Sequence, residues 1–175
     1  MAAGTKENDR LRLRFRLWDA NGDGTIERSD FEAEADGIVA RLGAEGTAKG
    51  AALKKAYVGM FDRLAEAAGS TQMSLDTFVQ VADREIIRRG DAGFAELLAP
   101  TIRAIVEVLD TDGDGEVSPA EMVKWFDAIG LQESVAENAF RLLDTDGTGK
   151  LSVNELVDAV RDYHLGKNDI PLLGG

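Results

Sequence analysis

DTDGDGEVSPAE, residues 110–121, decides the reading of this chain, because its oxygen-bearing side chains alternate around a tight glycine turn. Counted from Asp110 as position 1, side-chain oxygens fall at positions 1, 3, 5, 9 and 12 (Asp110, Asp112, Asp114, Ser118 and Glu121), and Gly115 holds position 6. The template recurs at residues 144–155 (DTDGTGKLSVNE) and 19–30 (DANGDGTIERSD). A hard divalent cation such as calcium takes six to eight oxygens at about 2.3–2.6 Å, so a short loop must offer them at alternating places and supply a backbone carbonyl at position 7. All three stretches meet that demand.

Position 6 must turn sharply in a conformation that a Cβ penalises, and Gly24, Gly115 and Gly149 stand there. Position 8 should point away from the ion and let two loops pair as a short antiparallel ladder. It is Ile26, Val117 and Leu151. Ahead of the loops, Leu11, Phe15, Leu17 and Trp18 precede Asp19 at the same offsets at which Ile102, Val106, Val108 and Leu109 precede Asp110. Ala136, Phe140, Leu142 and Leu143 repeat those offsets before Asp144. Residues 11–17 alternate like a strand, but the i, i+4, i+7 stripe of Leu11, Phe15 and Trp18 and its recurrence elsewhere predict entering helices. Exiting helices are expected from position 12 onward, carrying Phe31, then Met122, Trp125, Phe126 and Ile129, then Leu156, Ala159, Val160 and Tyr163. Pro119 suits a first helical turn, where a missing N–H costs nothing.

With three such helix-loop-helix patterns, the chain resembles the EF-hand superfamily, and over nearly its full length it resembles the bacterial calerythrin and sarcoplasmic calcium-binding protein branch. The resemblance implies an all-α fold of four helix-loop-helix units, paired into one compact domain through short antiparallel loop-loop β contacts, with a second hand that need not bind metal. Residues 1–90 would hold the first pair and residues 91–175 the second, with the carboxy-terminal tail. The spacing agrees. From Asp110 to Asp144 there are 34 residues, room for one exiting and one entering helix around a break near Gly130-Leu131, whereas the 91 residues from Asp19 to Asp110 leave room for a further hand.

That hand is sought at residues 69–78, with Met73 at position 8, Ser74 at 9 and Thr77 at 12, behind a helix carrying Tyr57, Phe61 and Leu64. Counting back puts Glu66, Ala68 and Ser70 at positions 1, 3 and 5 and Thr71 at the turn, a poor cage without its glycine or closing acid. Its expected role is structural: Met73 partners Ile26. Residues 43–47 and 89–93 are the expected connections between helices.

Three calcium sites follow. The first uses Asp19, Asn21, Asp23, Thr25, Glu27 and Asp30; the second uses Asp110, Asp112, Asp114, Glu116, Ser118 and Glu121; the last uses Asp144, Asp146, Thr148, Lys150, Ser152 and Glu155, with Thr25, Glu116 and Lys150 contributing carbonyls. Two carboxylates about 5 Å apart repel by roughly 3 kcal/mol at an effective dielectric near 20, so ion capture should be coupled to folding. The four acids of residues 110–121 should make the tightest site. Asp30, shorter than the usual glutamate, makes magnesium the strongest competitor at the first.

A formal net charge of −12 argues against nucleic acid as a partner. There is no cysteine, and one histidine without a phosphate-cradling loop offers no catalytic constellation, so no enzyme is expected. Without a signal-like apolar core or an eighteen-residue apolar run, the expectation is a cytoplasmic monomer away from membranes. Met1-Ala2-Ala3-Gly4 lacks the glycine directly after Met that myristoylation needs. Arg10, Arg12, Arg14 and Arg16 are read as solvated flanks that pair with the acidic body, and His164 as a surface residue. The tail Ile170-Pro171-Leu172-Leu173 either covers an apolar groove or frays. Few methionines favour a calcium buffer or signal modulator over a sensor that exposes an apolar groove to a protein target.

Overall fold

The computed structural model describes residues 6–172. The myristoylation reading at residues 1–4 and the Leu173 end of the tail lie outside them. Nine α-helices and two short strands run along the described chain: α1 Lys6–Trp18, β1 Thr25–Glu27, α2 Arg28–Arg41, α3 Ala48–Ala68, β2 Gln72–Ser74, α4 Leu75–Ala82, α5 Asp91–Leu97, α6 Ala99–Leu109, α7 Pro119–Ala128, α8 Glu133–Leu143 and α9 Val153–His164. The strand-like alternation of residues 11–17 therefore sits on a helix. Its face obeys the expected stripe. Leu11, Phe15 and Trp18 are buried, as are their counterparts Ile102, Val106 and Leu109 and Ala136, Phe140 and Leu143. Two places before the first and last loops the side chain faces outward, with Leu17 38% and Leu142 58% exposed, whereas Val108 before Asp110 is partly buried against the core.

Exiting helices begin at position 10, two residues earlier than expected. Ser118 and Ser152 at position 9 cap α7 and α9, their Oγ atoms accepting the backbone N–H of Glu121 (3.2 Å) and Glu155 (3.1 Å). Each glutamate returns the bond from the Ser N–H, at 2.9 and 3.0 Å. These reciprocal pairs are capping boxes, and Pro119 occupies the first turn as predicted. Ser74 and Thr77 repeat half of the arrangement at α4, with a Thr77 N–H to Ser74 Oγ bond of 3.3 Å.

The loops pair as anticipated. β1 and β2 are antiparallel with Ile26 opposite Met73, and Val117 and Leu151 exchange both backbone hydrogen bonds at 2.8 Å. In the second hand α3 continues through Glu66 and Ala68 before Gly69 ends it in a left-handed cap (φ +70°). With Ala68 and Ser70 in place of acids at positions 3 and 5, no cluster of like charges interrupts the helix before that glycine.

Between α4 and α6 the chain departs from the expected plain connection. A π-helical turn over Asp83–Ile87 leads through Gly90 into α5, and α6 follows after a break at Leu98. Gly93 makes this crossing possible, because a Cβ there would lie 2.5 Å from the Ile86 carbonyl oxygen. Buried side chains from both pairs join one hydrophobic core, which Ile170 and Leu172 of the tail enter. The tail thus covers a groove at least as far as Leu172, where the backbone carbonyl accepts a bond from Trp125 Nε1 at 2.7 Å.

Two polar residues sit deeper than their sequence context implies. Arg14 is 3% exposed rather than a solvated flank, its guanidinium 5.7 Å from the Trp18 ring centroid. Arg10 does pair within the chain, bridging to Asp169 and lying 4.1 Å over the Tyr163 ring. His164 is 4% exposed, packed against Phe94 and Tyr163. It faces inward because α1 and α5 cover the end of α9, an arrangement that no local pattern encodes.

Candidate metal centres

Three loops share one internal scaffold. The Oδ2 of Asp19, Asp110 and Asp144 at position 1 accepts the N–H of the position-6 glycine at 2.9, 2.7 and 2.9 Å. The first aspartate thus cinches the loop around its turn. Gly24, Gly115 and Gly149 have φ of +86°, +73° and +79°, the left-handed region expected of them. Gly22, Gly113 and Gly147 at position 4 also have positive φ. Their recurrence in all three stretches was a further legible signal that the reading of position 6 alone passed over.

At residues 110–121, Asp110, Asp112 and Asp114 bring carboxylate oxygens within 4.8 Å of one another. Ions with bonds of about 2.3–2.6 Å place opposite ligands about 5 Å apart, so this donor set fits a hard divalent cation. Asp110 Oδ1 accepts the N–H of Gly113 (2.9 Å) and Asp114 (3.1 Å), and Asp114 Oδ1 accepts that of Glu116 (2.9 Å). Glu121 stands outside the trio, with Oε1 on the Ser118 N–H and Oε2 on the Thr111 N–H, both at 2.9 Å.

At residues 144–155, Asp144, Asp146 and Glu155 form a second trio within 4.8 Å. Thr148 donates from its N–H to Asp144 Oδ1 (3.1 Å) and to Asp146 Oδ1 (3.2 Å), while its hydroxyl donates to the Lys150 carbonyl at 2.9 Å. The bond from the Thr148 backbone N–H holds the Asp146 carboxyl below the usual carboxylate range. A bond from Lys150 does the same for Asp112. Lys150 Nζ lies 3.1 Å from Asp112 Oδ2 and also pairs with Asp114. This side-chain role was missed in the sequence, which assigned Lys150 only a carbonyl.

Among the described residues, the acids of the first loop do not gather into such a trio. Asn21 Oδ1 accepts the Asp23 N–H at 3.1 Å, and Asp23 Oδ1 accepts both the N–H and the hydroxyl of Thr25 at 2.9 Å. Those bonds from Thr25 lower the Asp23 pKa. Asp30 is buried and accepts the Glu27 N–H at 2.9 Å. The Glu27 carboxylate instead accepts from Gln72 Nε2 of the second hand at 2.9 Å. Nothing in the second hand assembles comparable acids.

Comparisons with known proteins agree with this geometry. An EF-hand domain model matches residues 135–166 and an EF hand model matches residues 11–33 and 102–128. Calerythrin of Saccharopolyspora erythraea is 39% identical over 171 residues, covering 95% of this chain and 97% of the relative. A Streptomyces coelicolor calcium-binding protein, whose structure is presented as the basis of prokaryotic calcium-mediated regulation, is 33% identical with a TM-score of 0.75, over 91% of this chain and 98% of that one. The Mg²⁺-loaded apo form of berovin, a light-sensitive ctenophore photoprotein, is 27% identical with a TM-score of 0.68, over 90% of this chain and 87% of that one. The chain belongs to the calerythrin-like EF-hand proteins, and like them it binds calcium.

Proposed function

We propose that this protein is a calcium buffer or signal modulator that takes up three ions, one at each of the loops beginning at Asp19, Asp110 and Asp144. The ligands would be the six residues of each loop named from the sequence, with carbonyls of Thr25, Glu116 and Lys150 at position 7. The clustered acids of the last two loops support this reading directly. For the first loop, support comes from the shared bond between Asp19 and Gly24 and from the family match over residues 11–33. Calorimetry on chelator-treated protein should count three ions per chain. Fewer than two would sink the proposal.

The closed apolar face of the second pair carries the preference for a buffer. Leu172 lines the same small apolar cavity as Ile105, Met122 and Trp125, so the face a target would use is already covered. Adding calcium to metal-free protein should therefore raise helix content and reduce binding of a dye for exposed apolar surface. Increased dye binding would favour the second reading, a sensor acting on a protein target. The regulatory role stated for the S. coelicolor protein is what supports that alternative.

Magnesium should compete most strongly at the first loop, where Asp30 closes the set with a shorter arm. Berovin, whose three calcium-binding loops are described as binding magnesium, makes such competition chemically reasonable. A competition titration finding equal selectivity at all three loops would contradict it. No helix of the described residues is long and apolar enough to cross a membrane, and we place the protein in the cytoplasm as a monomer, to be checked by sedimentation. Residues 1–90 and 91–175 act as the two pairs of hands.

A further inference from the structure

Lys150 belongs to two loops at once. Its neighbour Leu151 exchanges both backbone hydrogen bonds with Val117, which fixes the loop of the fourth hand, residues 144–155, against that of the third, residues 110–121, in antiparallel register. That register holds the Lys150 carbonyl within its own loop, on the Thr148 hydroxyl, while the four-carbon stem carries the ammonium across to Asp112 and Asp114. The contact is partly shielded, the lysine side chain being 37% exposed and that of Asp114 27%. Among the described residues no ion pair reaches Asp144, Asp146 or Glu155, nor Asp19, Asp23 or Asp30. Of the three loops, only the third has its acids paired with a cation, and that cation is supplied by the fourth.

Two of the three acids gathered at residues 110–114 are thus satisfied by an ammonium. A dication bonded to the same oxygens would stand only a few ångströms from that nitrogen, close enough for strong repulsion. We propose that Lys150 is an internal counter-ion of the third loop: incoming calcium must displace it, which lowers the affinity of the acid-rich third loop toward that of the fourth. Acid count alone would make the pair fill in two steps, third loop first. With Lys150 present the two loops fill over one narrow range of calcium concentration. The inference rests on reading residues 110–121 as a calcium site, and it adds a residue that sets that site's affinity from outside the loop.

The test uses the full chain, chelator-treated, with Trp18 replaced by Phe so that emission reports Trp125 on the helix leaving the third loop. Calcium is titrated into this protein and into Lys150→Met, Lys150→Gln and Lys150→Arg forms, with calorimetry in parallel and far-UV circular dichroism to verify the fold. The Met and Gln forms should bind calcium at the third loop about three- to ten-fold more tightly, a gain within the range expected for removing two partly exposed ion pairs. Their titrations should separate into two steps. Lys150→Arg, which keeps the charge, should stay within about two-fold of the parent. Calcium uptake that is unchanged or weakened in both neutral forms would overturn the role of Lys150 alone. If no form takes up calcium at this pair, the binding proposal and this inference fall together.

Discussion

A carboxylate at position 12 has two tasks here, and they can be separated chemically. Glu121 accepts the Ser118 N–H as part of a helix cap and is also expected to close the ligand set. Glu121→Gln keeps an acceptor oxygen but removes the charge, so metal-free stability should change by less than about 0.5 kcal/mol while third-loop calcium affinity falls at least about ten-fold. Glu121→Ala should lose the cap as well, costing about 1 kcal/mol before any metal is added. Chemical denaturation paired with calorimetry reads both quantities, and equal metal-free stability of the Gln and Ala forms would refute the capping role. His164 offers a second test. Burial, reinforced by Arg14, lowers its pKa from 6.5 to about 3, and since a carbonyl only accepts, the 2.8 Å bond to Val160 places the proton of the neutral ring on Nδ1. The folded form resists a proton that the unfolded chain accepts near pH 6.5, so this contribution is complete above that pH and is lost as pH falls toward about 3. Between pH 7.5 and 5.5 the metal-free protein should lose about 1.4 kcal/mol through His164, a loss absent from His164→Gln; parallel pH profiles for the two proteins would refute it. Residues 110–121 were legible because ligand spacing is local in the chain, whereas the burial of His164 and the reach of Lys150 depend on elements that meet only after folding.

Elements show the same division. The Ile26–Met73 pairing was legible in a hand that lacks a metal cage, since an apolar residue followed by Ser, Thr and Phe at fixed offsets marks the ladder position without any acid. Helices start two residues ahead of position 12 because the acid there also closes a cap, and Ser118 with Glu121 and Ser152 with Glu155 spell that capping-box spacing in the sequence. The π-helical turn and α5 had no such signature: Gly93 is required by the close approach of Ile86, a contact created by the crossing itself. If the second hand serves as a support for the first, Met73 should matter to calcium binding at a loop it never touches with an oxygen. Met73 is fully buried, so Met73→Ala should destabilise the protein by about 2–5 kcal/mol. It should also weaken calcium uptake at the loop of Asp19 while sparing those of Asp110 and Asp144. Uniform weakening at all three, or none at the first, would count against the supporting role.

At the scale of the whole molecule, the pairs of hands share more than a linker. Thr101 on α6 donates to the Ala56 carbonyl on α3 at 3.4 Å, Arg63 donates to the Glu96 carbonyl at 2.7 Å, and Arg41 donates to the Ala128 carbonyl at 2.8 Å. Arg10 on α1 reaches Asp169 and Tyr163 beyond and on α9. Separating the pairs would strand these groups and open the common core, at a cost comparable with the whole stability of a domain this size, about 5–15 kcal/mol. The metal-free chain should accordingly unfold in one transition. Its two tryptophans provide the probes, since Trp18 stands at the first loop and Trp125 follows the third, each buried. In Trp18→Phe and Trp125→Phe proteins, the emission midpoint of the remaining tryptophan should coincide with the midpoint of helix loss by circular dichroism. The comparison is made within each variant, because removing Trp125 also removes its bond to Leu172 and shifts stability by about 1 kcal/mol. Emission and helix midpoints separated by several degrees within either variant would mean that the pairs melt as independent units, and the continuity of the core would then confer no cooperativity.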